Sequence, residues 1–293
     1  MHIATLLTAP GGAPLDPALV RAVRNAWGGG EVAWLAPGEA AEFPLPAVPG
    51  DRETTWQSLQ AEGVDLLVQP GEGRRKRVLL ADMDSTMIAQ ECIDELAVEA
   101  GLGPRVAAIT ERAMNGELDF EAALAERVAL LAGLDAGVIG KVLHERITLA
   151  PGASALVATM RAAGARCVLV SGGFTAFTES VAARLGFHEH RANTLEIGPD
   201  GRLTGRVVPP VLGREAKVAA LREVTAGLGC TPGEVLAVGD GANDLGMLGL
   251  AGAGVAVHAK PSVQQACPLR VNHGDLTALL YMQGYPRSAF AAG

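Results

Sequence analysis

Asp82-Met83-Asp84-Ser85-Thr86 sets two carboxylates two residues apart, directly after the apolar run Val78-Leu79-Leu80-Ala81. Such a run reads as a buried strand, and the acidic pair sits where it emerges. Two carboxylates this close are not comfortably ionised together, so either a proton is shared or a hard, oxygen-preferring cation such as Mg²⁺ lies beside them. The metal reading gains support downstream. Gly239-Asp240-Gly241-Ala242-Asn243-Asp244 follows a second apolar run, Val235 to Val238, and brings further acidic oxygens to a strand end. Glycines on both sides of Asp240 permit a tight turn close to an ion.

Two other elements supply the opposite polarity. Ser171-Gly172-Gly173 follows the run Cys167 to Val170 and offers a hydroxyl and backbone N–H groups to an anion, while Lys217, early in a helical stretch, offers a fixed positive charge. A carboxylate nucleophile, a cation, a lysine and N–H donors are the parts of a phosphoryl-transfer site, where charge stabilisation dominates. Each part alone has a bland reading. Asp-x-Asp-x-Thr can be a turn or a helix cap, Ser171 a turn residue and Lys217 a solvated helix lysine. Their order, each at a strand end or helix start, carries the catalytic reading.

These residues need a scaffold that brings strand ends together. Short runs rich in branched residues, Val78 to Ala81, Cys167 to Val170, Val235 to Val238 and Gly254 to Val257, alternate with helical stretches at Leu156 to Ala163, Ala216 to Leu228 and Asn243 to Leu250. Alternation of this kind predicts an α/β fold with a doubly wound parallel sheet. Residues 88–149 break the rhythm, with helix-favouring stretches at Glu91 to Ala100 and Phe120 to Leu131 and no strand-like run. An insertion after the first strand lies over the carboxyl ends of the strands, where open α/β sheets bind ligands, and so reads as a helical cap.

All three tryptophans, Trp27, Trp34 and Trp56, fall in the first 56 residues, and both tyrosines, Tyr281 and Tyr285, lie near the other end. That shift predicts a small α+β N-terminal domain at 1–72, with strands near Ile3 to Leu7 and Leu66 to Gln69 around a helix at Pro17 to Trp27, and a catalytic domain at 73–293. Pro70-Gly71-Glu72-Gly73-Arg74-Arg75-Lys76-Arg77 reads as a solvated linker between them. No chemistry is visible in the N-terminal segment.

Composition narrows the classes. Across 293 residues, 49% are hydrophobic and 19% charged, enough to bury a large core, and 24 Lys and Arg against 32 Asp and Glu leave a net charge of −8. That balance argues against a nucleic-acid partner or an anionic lipid surface. Cys92, Cys167, Cys230 and Cys267 form no Cys-x-x-Cys pair, which argues against zinc and against a disulfide framework. With no apolar run near a membrane span and no signal-like N-terminus, a cytoplasmic protein is expected.

In this order, strand-Asp-x-Asp-x-Thr, strand-Ser, Lys and strand-Gly-Asp-Gly-x-Asn-Asp resemble the haloacid dehalogenase-like hydrolases. Within them, Glu91, the run Met114-Asn115-Gly116-Glu117-Leu118-Asp119-Phe120 and Arg127-Val128 resemble the phosphoserine phosphatases. The resemblance covers roughly residues 75–285. It implies that Asp82 forms an aspartyl phosphate, that Asp84 serves as general acid and then general base, and that Mg²⁺ is bound by Asp82, Asp84 (through its backbone carbonyl) and Asp240. Ser171, Gly172 and Lys217 would hold the phosphate, Asn243 would add a contact, and Asp244 would support the lysine. Glu91 would face the ammonium of O-phosphoserine and Arg127 its carboxylate, with Met114 and Phe120 walling the site.

The implied activity is hydrolysis of O-phosphoserine to serine, the last step of serine biosynthesis. The rivals are a phosphatase of another small metabolite, a phosphotransferase, and a non-catalytic phospho-ligand binder. From its position alone, the N-terminal domain is expected to dimerise the chain or sense serine. His258 reads as a structural strand-end histidine rather than a catalytic one.

Overall fold

The computed structural model describes residues 1–114 and 118–292. The first unit runs β1 (His2–Thr8), α1 (Pro17–Ala26), β2 (Ala33–Ala36), β3 (Ala40–Leu45), α2 (Arg52–Ala61) and β4 (Val64–Pro70). Its strands form an antiparallel sheet in the order β2-β3-β1-β4. Helix α1 starts where Asp16 accepts the Ala18 N–H at 2.7 Å and Pro17 supplies a preset φ. Leu6, Phe43, Leu45 and Leu66 pack under the helices, while Leu7, Ala40 and Leu67, on the alternate face, belong to the core of the rest of the chain. Both faces of this sheet are therefore buried, and so are Ile3 to Thr8 of β1 and Val64 to Gln69 of β4 without interruption, including the polar Thr5, Asp65 and Gln69.

The second unit begins at β5 (Val78–Ala81) and continues through α3 (Cys92–Glu99), α4 (Gly103–Met114), α5 (Phe120–Ala129) and α6 (Gly137–Glu145). There follow α7 (Ala153–Ala162), β6 (Arg166–Phe174), α8 (Thr175–Leu185), β7 (Glu189–Ile197), β8 (Leu203–Val208) and α9 (Arg214–Gly227). The chain ends with β9 (Val235–Gly239), α10 (Leu245–Leu250), β10 (Ala253–Val257), α11 (Pro261–Ala266), β11 (Leu269–Val271) and α12 (Ala278–Met282). Seven strands stand in the order β11-β10-β9-β5-β6-β7-β8, parallel except for the antiparallel edge pair of β7 with β8. The expected doubly wound sheet thus carries an antiparallel strand at one edge. Helices α3 to α6 form the inserted cap, closed at its base by a bridge between Ile88 and Leu149.

The basic stretch 74–77 keeps Arg75 and Arg77 exposed, as a linker would, but every one of its side chains has a partner. Arg74 pairs with Glu42 at 2.5 Å, Arg77 pairs with Glu234 at 3.1 Å, Lys76 donates to the Gly233 carbonyl at 2.8 Å, and Arg75 lies 4.5 Å over the Tyr285 ring. Of these contacts, the Arg74–Glu42 pair is the one that crosses the seam between the two units. Asp65 of β4 is fully buried at that seam and accepts the backbone N–H groups of Asn272, His273 and Gly274 at 2.9, 3.0 and 2.7 Å.

Candidate active site

Register explains why distant residues meet. Ala81 at the end of β5 lies level with Leu169 of β6 and Val238 of β9, so Asp82, Ser171 and Asp240 all leave the sheet at its carboxyl edge within two residues of a common level. The Asp82 N–H donates to the Val238 carbonyl at 3.0 Å, the last rung before the loops diverge. This is the switch point of the sheet, with chain leaving β5 toward β6 on one side and β9 on the other.

At this edge Lys217, 1% exposed, projects from α9 and places Nζ 2.7 Å from Asp82 Oδ1 and 2.6 Å from Asp244 Oδ1. Asp82 Oδ1 also accepts the Met83 N–H at 2.8 Å, and among the described residues Oδ2 has no hydrogen-bond partner. Burial works against the charge on Lys217, yet the carboxylates of Asp244 and Asp82 outweigh it and hold its pKa above the ordinary lysine value. Burial, with the Asp244 charge beside it, drives the pKa of Asp82 upward in spite of the lysine.

Asp240 accepts from the Thr86 hydroxyl at 3.1 Å, and burial, followed by repulsion from Asp244 and Glu91, lifts its pKa to about 6. Carboxylate oxygens of Asp82, Asp240 and Asp244 lie within 4.8 Å of one another. A buried, all-oxygen cluster with more negative charge than one lysine offsets fits a hard divalent cation, which would relieve the same repulsion that raises these pKa values. Asp84 adds no carboxylate to this cluster.

The carboxylate of Asp84 is held apart for other work. It accepts the Cys92 N–H at 3.0 Å through Oδ1 and the Ser171 hydroxyl at 3.3 Å through Oδ2, while Ser171 Oγ accepts the Gly173 N–H at 2.8 Å. Burial first, and the Glu91 charge second, push its pKa up to about 6. A Cβ at Gly173 would collide with Asp84 Oδ2, so the backbone of β6 approaches this carboxylate as only glycine allows. Ser85, at φ +53°, turns the chain so that its hydroxyl donates to Glu91 at 2.7 Å.

Over these groups lies a cavity of about 750 Å³ between cap and sheet edge. Asp82, Asp84, Gly172, Asp240 and Asn243 line it from below, and Glu91, Phe120 and Arg127 from the cap. The ring of Phe120 rests on two glycines: a Cβ at Gly172 would come within 3.0 Å of it and one at Gly213 within 3.3 Å. Arg127 is oriented by its Nε–H, which donates to the Ala123 carbonyl at 3.2 Å, one turn back in α5.

Of the residues singled out from the sequence, Lys217, Ser171 and Asp244 sit beneath the cavity floor instead of lining it, fully buried behind Asp82 and Asp84. Met114 ends α4, and its side chain lies outside the described residues, as do Asn115, Gly116 and Glu117. His258 takes a left-handed φ of +45°, and its N–H donates to the Val271 carbonyl at 2.8 Å, a structural role. Sequence reasoning missed Arg214 and Lys260, both of which line the cavity, and the Gly213 seat for Phe120. Lys260 was findable, since it follows the strand Ala253–Val257 at the same edge as the acidic loops.

Comparison with known proteins agrees with this geometry. Residues 79–249 match the family described as haloacid dehalogenase-like hydrolase. The phosphoserine phosphatase of Streptomyces coelicolor is 44% identical over 260 residues, covering 87% of this chain and 63% of its own length. The chain therefore spans somewhat under two thirds of that relative. A haloacid dehalogenase family hydrolase from Salmonella enterica serovar Typhi superposes with a TM-score of 0.86 at 29% identity, over 96% of this chain and 98% of its own. A phosphoserine phosphatase solved as a phospho-aspartyl intermediate analogue gives a TM-score of 0.66 at 37% identity, over 71% of this chain and 98% of its own.

Proposed function

The chain belongs to the haloacid dehalogenase-like hydrolases, and on that premise we propose that it hydrolyses O-phosphoserine to serine and inorganic phosphate through a phosphorylated Asp82, with Mg²⁺ as its cation. The observation that carries the reading is that Glu91 and Arg127 of the cap line the same cavity as Asp82 and Asp84. A zwitterionic head needs both signs at one end of the site, and a phosphate needs a nucleophile at the other.

Asp82 Oδ2, the oxygen left free by Lys217 and the Met83 N–H, attacks phosphorus as the bond to the serine oxygen breaks. Asp84, whose pKa of about 6 keeps a useful protonated fraction near neutrality, gives its proton to the departing oxygen. In the second half-reaction the ionised Asp84 takes a proton from water, which attacks phosphorus and releases Asp82. Lys217, fixed between Asp82 and Asp244, keeps the nucleophile in its rotamer and meets the phosphoryl charge at no cost in reorganisation. Mg²⁺ held by Asp82, Asp240 and the Asp84 backbone carbonyl would supply charge neutralisation for the phosphoryl oxygens. Glu91 takes the substrate ammonium, Arg127 its carboxylate, and Asn243 with the Gly172 N–H the phosphate, while Phe120 keeps bulk water out.

Four free cysteines suit a reducing setting such as the cytoplasm, and no described helix is long and apolar enough to cross a membrane. For residues 1–72 we keep a dimerising or serine-sensing role as the proposal, tested by oligomeric state and serine response when the unit is removed. Phosphate release from a panel of phosphorylated metabolites with Mg²⁺ tests the main reading. Phosphoserine is expected to exceed phosphothreonine and sugar phosphates in kcat/KM by at least tenfold, and a sugar phosphate at the head of the panel would reject the substrate assignment.

A further inference from the structure

Two cations in the cavity have no task in the mechanism above. Arg214 opens α9 and Lys260 follows β10, and both are exposed while lining the cavity wall. They bracket the acidic loop. The Lys260 N–H donates to the Asp240 carbonyl at 3.2 Å, and Arg214 packs beside Gly246, where a Cβ would stand 3.4 Å from its Nε. Among the described residues neither forms an ion pair within 4 Å, although basic side chains elsewhere in the chain, such as Arg74, Arg77, Arg146 and Arg270, do so repeatedly.

Their surroundings pose an electrostatic problem. Asp82, Asp84, Glu91 and Asp240 line the same cavity, in a chain whose net charge is −8. A phosphomonoester dianion approaching this mouth meets four carboxylates, and Arg127 lies on the far, cap side. A narrow, low-dielectric cleft focuses field lines, so the sign of the exposed charges at its wall governs how often an anion enters. Lys260 is close enough to counter part of the upward pull of burial on both Asp240 and Asp94, which puts its charge within reach of the floor and of the cap.

We propose that Arg214 and Lys260 act as an electrostatic entrance, drawing phosphomonoester dianions past the carboxylates and into the cavity. The proposal rests on the phosphatase reading but concerns any phosphate dianion, because neither residue is assigned to the amino-acid head. It separates these two cations from Lys217 and Arg127, which act at fixed positions on bound substrate.

The test compares wild type, Arg214→Gln, Lys260→Gln and the double variant, with p-nitrophenyl phosphate and phosphoserine as substrates and inorganic phosphate as inhibitor, between about 20 mM and 500 mM salt. Both side chains are exposed, so the variants are expected to melt with the wild type. At low salt the double variant should lose roughly threefold to tenfold in kcat/KM for both substrates and bind inorganic phosphate correspondingly more weakly, with kcat within about twofold. At high salt, where the Debye length falls to a few ångströms, the loss should nearly vanish. Lys260→Arg should retain the wild-type salt dependence. A loss that persists undiminished at high salt, or no loss at low salt, overturns the entrance. Phosphoserine failing as a substrate while p-nitrophenyl phosphate shows the salt-dependent loss would reject the substrate assignment and leave the entrance standing.

Discussion

The ammonium of Lys217 stands 2.7 Å from the carboxylate of Asp82, and both side chains are nearly sealed from solvent. A buried ion pair contributes little net stability, but removing one partner leaves an uncompensated charge, at about 3–5 kcal/mol. Lys217→Met is therefore expected to lower the thermal midpoint of the metal-free protein at pH 7 by several degrees. Its turnover should fall by about a hundredfold or more, the scale for losing one fixed donor at a developing charge. Asp82, whose pKa burial already drives upward, can protonate once the lysine is gone, so the stability deficit should shrink as pH falls toward 5. An equal deficit at both pH values would mean that the lysine acts by packing alone.

Asp84 gives a pH signature of defined sign. Its folded-state pKa of about 6 lies above the ordinary 3.8, so the stability linked to its protonated form is complete below pH 3.8 and is lost as pH rises through about 6. An asparagine side chain at this position would imitate the protonated acid, accepting the Cys92 N–H as Asp84 does at 3.0 Å. Metal-free Asp84→Asn is then expected to equal wild type near pH 4 and to melt higher at pH 7, while being almost inactive. Parallel melting curves across that range would remove Asp84 as the titrating acid.

The catalytic strands were legible because they are short, branched and buried on both faces, and Val78 to Ala81 coincides with β5. Edge elements were not. Glu189–Ile197 mixes charged and apolar residues with no clean alternation, and Leu269–Val271 is only three residues long, so neither stands out from a loop without its partner strand. Asp82, Asp84 and Asp240 could be found because each follows an apolar run. Lys260 could have been found the same way, just past the strand Ala253–Val257, whereas Arg214 could not be ranked above other surface cations until the fold placed it on the cavity wall. The pairing of residues 74–77 was hidden for a similar reason, since Glu42, Glu234 and Tyr285, which engage that stretch, lie far off in sequence.

Arg127 tests substrate choice separately from chemistry. A two-pronged guanidinium contact to a carboxylate is worth about 1.5–3 kcal/mol, so Arg127→Ala should raise KM for phosphoserine roughly tenfold to a hundredfold. Arg127→Lys should recover little of this, because an ammonium cannot reproduce the planar fork. With p-nitrophenyl phosphate, which has no carboxylate, both variants should stay within about threefold of wild type. Equal losses on the two substrates would assign Arg127 to cap structure instead of recognition.

The seam between the two units gives a prediction about stability. Asp65 is fully buried and satisfies three successive backbone N–H groups, at Asn272, His273 and Gly274, in the loop directly after β11. These donors have no strand partner to turn to, since β11 is the edge of the seven-stranded sheet. Alanine at 65 would leave three donors without their acceptor, that of Gly274 buried and those of Asn272 and His273 half-buried, and Asp65→Ala is expected to cost about 2–4 kcal/mol in urea unfolding. Asparagine can accept through one oxygen only, so Asp65→Asn should recover part of the loss. Hydrogen exchange at residues 272–274 should quicken in Asp65→Ala well beyond any change at Val235–Gly239 in the centre of the sheet, because the bonds that are lost hold the loop and not the ladder. Uniform quickening across both regions would show that Asp65 supports the whole fold, and no quickening at 272–274 would show that other contacts hold the seam.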